Sequence, residues 1–390
     1  MKAEKYAGSH RGRYYSRVLQ LIEASADFSD LLARLQGELL VAVDTEAASF
    51  HRHRDRVYLL QLSTRSETWL VDPLAVSGLP GFGALLADPG IEFIFHDADY
   101  DLRLLGHEFG FRTVRLFDTR VAAQFLNEPG IGLAALLEKH FGVRLDKQFQ
   151  RADWSQRPLT APMLAYAATD TRHLPRLRDE LHRQLVERGR LSWVEEECEL
   201  ITRVRWPEPD PPEVQALGVK GARVLSPRGL ARFRELYVWR TRTAESLDRA
   251  AFRILGNDAM MALAEQAPTD LSTLARVRGV GRDLVERRGS EILAALQRGS
   301  ALPDADLPRF ARAPRHRPDP AFEGRLERLK ATRGRLAERY ELAPGVLCPN
   351  WLLEAVARAA PRDVEALSAI DGVRRWQVSE FGADLLASLM

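Results

Sequence analysis

Apolar positions are arranged in two ways along this chain. Short runs rich in β-branched and aromatic residues, at 39–43, 57–63, 68–72 and 91–95, have the length and composition of buried strands. Residues 98–109, 119–126, 132–141 and 160–188 instead carry apolar side chains at helical spacing. In the first of these, Leu102, Leu105 and Phe109 fall at i, i+3 and i+7 and define a core face. Past "RWPEPDPPEV", residues 205–214, no strand pattern recurs, and this Pro-rich acidic stretch reads as a linker. A second break, rich in Pro and Arg, covers 302–324. The pattern predicts an α/β unit over 1–205, a helical unit over 215–301, a linker at 302–324 and a second helical unit over 325–390.

The two helical units read as copies. A shift of 93 positions lays the segment from Asn257 over that from Asn350 without a gap. Pro268 then meets Pro361, Asp270 meets Asp363, Gly279-Val280 meets Gly372-Val373 and Gly289 meets Gly382. Chance likeness between Ala- and Leu-rich helices does not put turn-forming residues in register, so duplication is the better account. Each copy has the pattern of a small helical bundle.

Composition narrows the classes. A chain of 390 residues exceeds what one core usually serves, and 45% hydrophobic with 28% charged is ordinary globular composition. No run is long and apolar enough for a membrane span, so no membrane partner is expected. The basic, aromatic N-terminus lacks the apolar stretch of a secretory signal. Cys198 and Cys348, the only cysteines, are too few for a disulfide framework or a Cys-based zinc site, which points to a reducing, cytoplasmic setting. A net charge of +2 permits a polyanionic partner without demanding one. No protein partner or oligomeric state is legible.

Chemistry begins at "VAVDTEAASF", residues 41–50, where a strand ends in two carboxylates. Alternate side chains on a strand face the same way, so Asp44 and Glu46 converge. Alone, such a pair is more often a solvated strand end. Further acids lie in "FIFHDADYDLRLLGHEFGF", residues 93–111, where Asp97, Asp99 and Asp101 also suit a helix N-terminus. In "DWSQRPLTAPMLAYAATDTRHLPRL", residues 153–177, Thr160 is a natural N-cap and Pro162 suits the first turn. Tyr166 and Asp170 then share a helix face, and Pro175 should bend the helix just beyond them.

Taken together, DTE at 44–46, the H-x-x-x-x-D-L of His96 to Leu102 and the Y-x-x-x-D of 166–170 resemble the exonuclease motifs of the tyrosine-containing DEDD superfamily, most closely the ribonuclease D family. "LLQLS" at 59–63, "VDP" at 71–73, "FDT" at 117–119, "DWSQRPLT" and "YAATD" extend the likeness. The helical copies resemble HRDC domains, most clearly at "LYVWRTRTAESLDR", 236–249. The likeness covers all but roughly the first twenty residues.

The resemblance implies an α/β, ribonuclease H-like (DnaQ-like) exonuclease domain with a mixed sheet, followed by two small all-α bundles. It implies a 3′-to-5′ exoribonuclease that releases nucleoside 5′-monophosphates from tRNA precursors and other structured small RNAs. Two divalent ions, Mg2+ or Mn2+, are its implied cofactors: Asp44, Glu46 and Asp170 would hold one, and Asp44 with Asp101 the second. Tyr166 would orient the attacking water. Hard oxygen ligands of this kind suit those ions, and His96 reads as structural rather than metal-ligating. A DNA exonuclease of the RecQ-helicase-associated kind and a non-catalytic RNA-binding scaffold are the alternatives.

Gln61 and Gln150 fit substrate contact and backbone satisfaction equally well. "FHRHRDR", 50–56, is close enough to DTE to meet phosphate, and a solvated loop is the simpler reading. In the first helical copy, Arg228, Arg232, Arg242 and Arg249 fall away from the apolar face and are candidates to hold RNA.

Overall fold

The structure, a computed structural model, describes residues 20–310 and 319–390. The basic N-terminal segment and the middle of the expected 302–324 linker lie outside the described residues. Six strands form one mixed sheet: β1 (Gln20–Ile22), β2 (Leu40–Glu46), β3 (Leu59–Ser63), β4 (Thr68–Val71), β5 (Glu92–Phe95) and β6 (Leu116–Asp118). Their order is β1-β4-β3-β2-β5-β6. The β2–β3 and β3–β4 pairs are antiparallel, and β1–β4, β2–β5 and β5–β6 are parallel. β2 sits centrally because both its faces are apolar up to Val43, with Val41, Ala42 and Val43 fully buried.

The four expected strands are present, and β1 and β6 add to them. These two have three residues each, too short to show a period. The long helical pattern at 160–188 is two helices, Ala161–Arg172 and Leu174–Glu187, parted at His173. Thr160 caps the first by accepting from the Met163 amide at 3.4 Å. The break precedes Pro175 because proline has no amide to offer the preceding turn.

No strand follows β6 among the described residues. The helices at Pro227–Ser246, Ala251–Ile254, Asn257–Gln266, Leu271–Leu274 and Arg282–Ala301 recur 93 positions later as Pro320–Tyr340, Pro344–Leu347, Asn350–Ala359, Val364–Ser368 and Arg375–Ala387. The copies match in detail. Arg240 donates to the Asn257 side chain at 2.6 Å, and Arg333 to Asn350 at 2.8 Å. Asp270 and Asp363 are N-caps, while Gly279 and Gly372 turn the chain at φ 86° and 89°, a conformation that favours glycine. The second copy begins at Pro320, inside the stretch read as linker. Asp319 caps it, and Pro at the first helical position starts a helix as readily as it breaks one.

The copies are placed differently. The first has a core of its own, around Phe233, Leu236, Met260 and Ile292. The second shares one continuous core with the α/β unit. Its Trp376 stacks on Trp193 at 4.8 Å and meets Phe125 edge-on at 5.3 Å. The first copy touches the α/β unit through the loop after β2. There Phe50 meets Phe252 at 6.3 Å, and Asp248 accepts the His53 and Arg54 amides at 3.2 and 3.3 Å.

Candidate active site

β2 carries Asp44 and Glu46 on one face of the sheet at its C-terminal end, and the Ala161–Arg172 helix crosses that face, bringing Asp170 to them. One ligand oxygen from each of Asp44, Glu46 and Asp170 lies within 4.8 Å of the others. Asp101 enters from the first turn of the Asp99–Phe109 helix, is buried, and accepts a hydrogen bond from the Thr45 hydroxyl. Of the three acids in that segment only Asp101 stands beside this trio, outside the 4.8 Å group but near enough to raise Glu46 and to be raised by Asp44, whereas Asp97 pairs with Arg120 at 2.7 Å and Asp99 with Arg103 at 2.6 Å.

Burial and mutual repulsion shape the electrostatics. Burial first, then Asp170, pushes Asp44 well above the usual carboxylate range. Burial, then Asp44, Asp170 and Asp101, does the same to Glu46. Asp101 is raised by burial and Asp44 against the opposing hydrogen bond from Thr45, and burial takes Asp170 to about 7. Among the described residues no Lys, Arg or His forms an ion pair with any of the four. Four acids this poorly solvated, Asp101 buried and the other three half-buried, are untenable without a cation at neutral pH unless they hold protons or a dication. An all-oxygen donor set of this kind fits a hard divalent ion.

Tyr166 lies one helical turn before Asp170, half-buried, with its ring 5.8 Å from Phe149 and 6.1 Å from Trp154. Burial, then Asp170, Glu46 and Asp44, push its hydroxyl well up, so it stays protonated. His96 donates to or accepts from Thr119 at 2.9 Å, and burial lowers it to about 4. It stands outside the acid cluster.

Several supports were not singled out from sequence. Thr45 is the middle residue of DTE, and it anchors Asp101. Asp118 of "FDT" accepts the Asp97, Ala98 and Arg120 amides at 3.1, 2.7 and 2.8 Å, fixing where the Asp101 helix starts. Arg157 of "DWSQRPL" clamps Asp72 of "VDP" at 2.5 and 2.9 Å and caps the Tyr58 carbonyl at 2.8 Å. The motif words were visible; their pairing was not.

Gln61 pairs directly with Asp44 across β2 and β3, is fully buried, and has no partner for either amide atom among the described residues, whereas Gln150 is exposed. Cross-strand partners share a face, so Gln61 belongs to the floor of the cluster. The basic loop is engaged within the protein: Arg52 donates to Ser155 at 2.7 Å, Arg54 faces Glu245 at 3.6 Å and Arg56 faces Glu108 at 2.9 Å. Two of the four candidate arginines are likewise held. Arg228 binds the Ser300 and Leu302 carbonyls and Asp304, and Arg232 binds the Ala264 carbonyl at 2.6 Å. A helix-phase argument shows which face a residue is on, but it cannot see the neighbouring helix end that receives it. Arg242 and Arg249 are exposed.

The 3'-5' exonuclease family matches residues 19–186, and the HRDC domain matches 229–296 and 322–389. A ribonuclease D from Granulibacter bethesdensis is 32% identical over 97% of this chain and 93% of its own. Among solved structures, the catalytic core of RRP6 from Trypanosoma brucei aligns with TM-score 0.68 at 30% identity, covering 74% of this chain and 83% of that one. RNase D from Escherichia coli aligns with TM-score 0.70 over 96% and 99% at 24% identity, a likeness of fold. The mixed sheet with its acid cluster, followed by two helical copies, thus defines a DnaQ-like 3′-5′ exonuclease with paired HRDC domains. More narrowly, the chain belongs to the ribonuclease D family and is a hydrolase of the 3′-5′ exoribonuclease type.

Proposed function

We propose that this chain trims the 3′ ends of structured RNAs, tRNA precursors among them, using two divalent ions, Mg2+ or Mn2+, and releasing nucleoside 5′-monophosphates. The observation that carries the reading is the convergence of Asp44, Glu46 and Asp170 to within 4.8 Å, beside Asp101, with no protein cation to balance them among the described residues. Asp44, Glu46 and Asp170 would hold one ion, and Asp44 with Asp101 the other. Bound there, such ions lower the pKa of a water and offset charge on a phosphodiester.

The chain's own groups set the geometry. Tyr166, kept protonated, positions the attacking water and does not remove its proton. Thr45 holds Asp101 in place through its hydroxyl. Gln61 places an uncommitted amide beneath Asp44, available to the outer oxygen of that carboxylate. Arg242 and Arg249 remain candidates to meet RNA from the first helical copy. The division into an exonuclease unit and two accessory helical units belongs to the same proposal, as does a reducing cytoplasmic setting, in which Cys198 and Cys348 stay buried free thiols.

The test uses purified wild type and Asp44→Asn with matched 3′-tailed RNA and DNA, in Mg2+, in Mn2+ and in EDTA, with products resolved by length. Stepwise shortening of RNA from the 3′ end in metal only, absent in Asp44→Asn, is the expected result. Cleavage in EDTA, or near-wild-type rates for Asp44→Asn at saturating Mg2+, would overturn the assignment.

A further inference from the structure

The duplication allows one copy to be read against the other. In the second copy the Arg375–Ala387 helix begins by binding an anion. The Arg375 and Trp376 amides donate to the two carboxylate oxygens of Glu196 at 2.7 and 3.0 Å. Side chains complete the grip: Arg374 meets Glu197 at 2.9 Å and Arg375 meets Glu199 at 2.9 Å. The α/β unit therefore occupies this helix start with a carboxylate, where the exposed amides and the helix dipole favour negative charge.

In the first copy the same place is the start of the Arg282–Ala301 helix. Gly281 and Arg374, the respective N-caps, have the same extended backbone, φ −74° and ψ 152° against φ −92° and ψ 148°. No glutamate arrives there: the Arg282 and Asp283 amides have no hydrogen-bond partner among the described residues. The residues that dock the second copy are also changed. Arg374 and Trp376 correspond to Gly281 and Asp283, so the first copy lacks the tryptophan that enters the shared core.

Cations replace them. Arg276, Arg278 and Arg287 stand where the second copy has Ala369, Asp371 and Glu380, and Arg282 is kept as Arg375. All four are exposed, and none makes an ion pair or side-chain hydrogen bond among the described residues. Two acids, Asp283 and Glu286, share the segment and leave it net positive.

We propose that the turn and helix start at 276–287 of the first helical copy bind the RNA backbone, with a phosphate taking the place that Glu196 fills in the second copy. This rests on the exoribonuclease reading and locates a second point of hold on the same substrate. The amides supply a directional seat and the four guanidinium groups a surrounding field, a combination that positions a strand without reading its sequence.

The test compares full-length wild type with R276A/R278A/R282A and with a control of equal charge change, R112A/R188A/R362A, whose arginines are exposed and unpaired among the described residues. Binding to a 3′-tailed stem-loop RNA is measured in EDTA across a salt series. Each phosphate that no longer meets a guanidinium reduces the slope of log affinity against log salt by roughly 0.7 to 0.9. The site variant should show about two such reductions and bind on the order of tenfold more weakly, a larger effect than in the control. Amide resonances of Arg282 and Asp283 should shift when RNA is added to wild type. Equal slopes in the two variants, or unmoved amides, overturn the site. Tighter binding of an oligo-glutamate peptide than of RNA overturns the choice of ligand. Wild-type degradation of the RNA in Mg2+ is followed in parallel: its loss would strike the enzymatic reading, whereas its presence with unaltered variant binding strikes only this inference.

Discussion

Replacing Asp170 by asparagine should stabilise the metal-free protein while removing its activity. Burial moves the Asp170 carboxyl from its ordinary value of 3.8 to about 7. The folded chain therefore keeps this proton to higher pH than the unfolded chain does. Stability linked to it is complete below about pH 4 and falls as pH climbs toward 7, at roughly 1.36 kcal/mol per pH unit. The ceiling is then roughly 4 kcal/mol at pH 8. Protons shared among Asp44, Glu46 and Asp101 reduce it, because one neutral neighbour relieves the others. Asparagine carries no such penalty and is close to the same size.

Thermal melts in EDTA should show Asp170→Asn above wild type at pH 8 by at least about 1 kcal/mol, a shift of roughly 2–4 °C for a domain of this size. The gap should narrow at pH 5. Added Mg2+ should raise the wild-type melting temperature and leave the variant nearly unmoved. A variant that melts at or below wild type in EDTA at pH 8, or a gap that does not widen from pH 5 to 8, would refute the claim that the fold holds this carboxylate out of water for the sake of an ion.

Other consequences are open to direct measurement. Tyr166→Phe should lower single-turnover cleavage about 10- to 100-fold with RNA affinity within about twofold, as expected when a positioning hydroxyl is removed; unchanged cleavage excludes that role. Thr45→Val deletes the hydroxyl that holds Asp101, and the Mg2+ concentration giving half-maximal rate should rise about tenfold. A metal titration identical to wild type would make that hydrogen bond dispensable. Trp376→Ala empties the seam between the second helical copy and the α/β unit, costing about 3 kcal/mol in urea unfolding. A loss below about 1 kcal/mol would mean that the two units do not share a core as described.

Much of this molecule was legible one element at a time. The runs at 57–63 and 91–95 announced strands, Thr160 and Pro162 announced a helix start, and glycines in register announced the duplication, because each signal is local and rests on backbone preference or burial of one face. The acids could be named as well, from motif words in order. Those words also single out Asp101 among Asp97, Asp99 and Asp101; helix-capping preference by itself does not, since all three suit a helix N-terminus, and it is the packing of that helix on the sheet that turns Asp101 inward. The words could not show that Arg228 and Arg232 are spent on carbonyls at the ends of other helices.

The sequence by itself determined the elements, their order and the supply of carboxylates, since these depend on neighbours within a few positions along the chain. The tertiary structure alone decided that Asp44, Glu46 and Asp170 meet, with Asp101 beside them and no cation paired to them among the described residues, and that one helical copy surrenders its anion seat to Glu196 while the other keeps it open. Those outcomes depend on charges remote in sequence and close in space, where Coulomb energy follows distance and burial and takes no account of the separation along the chain.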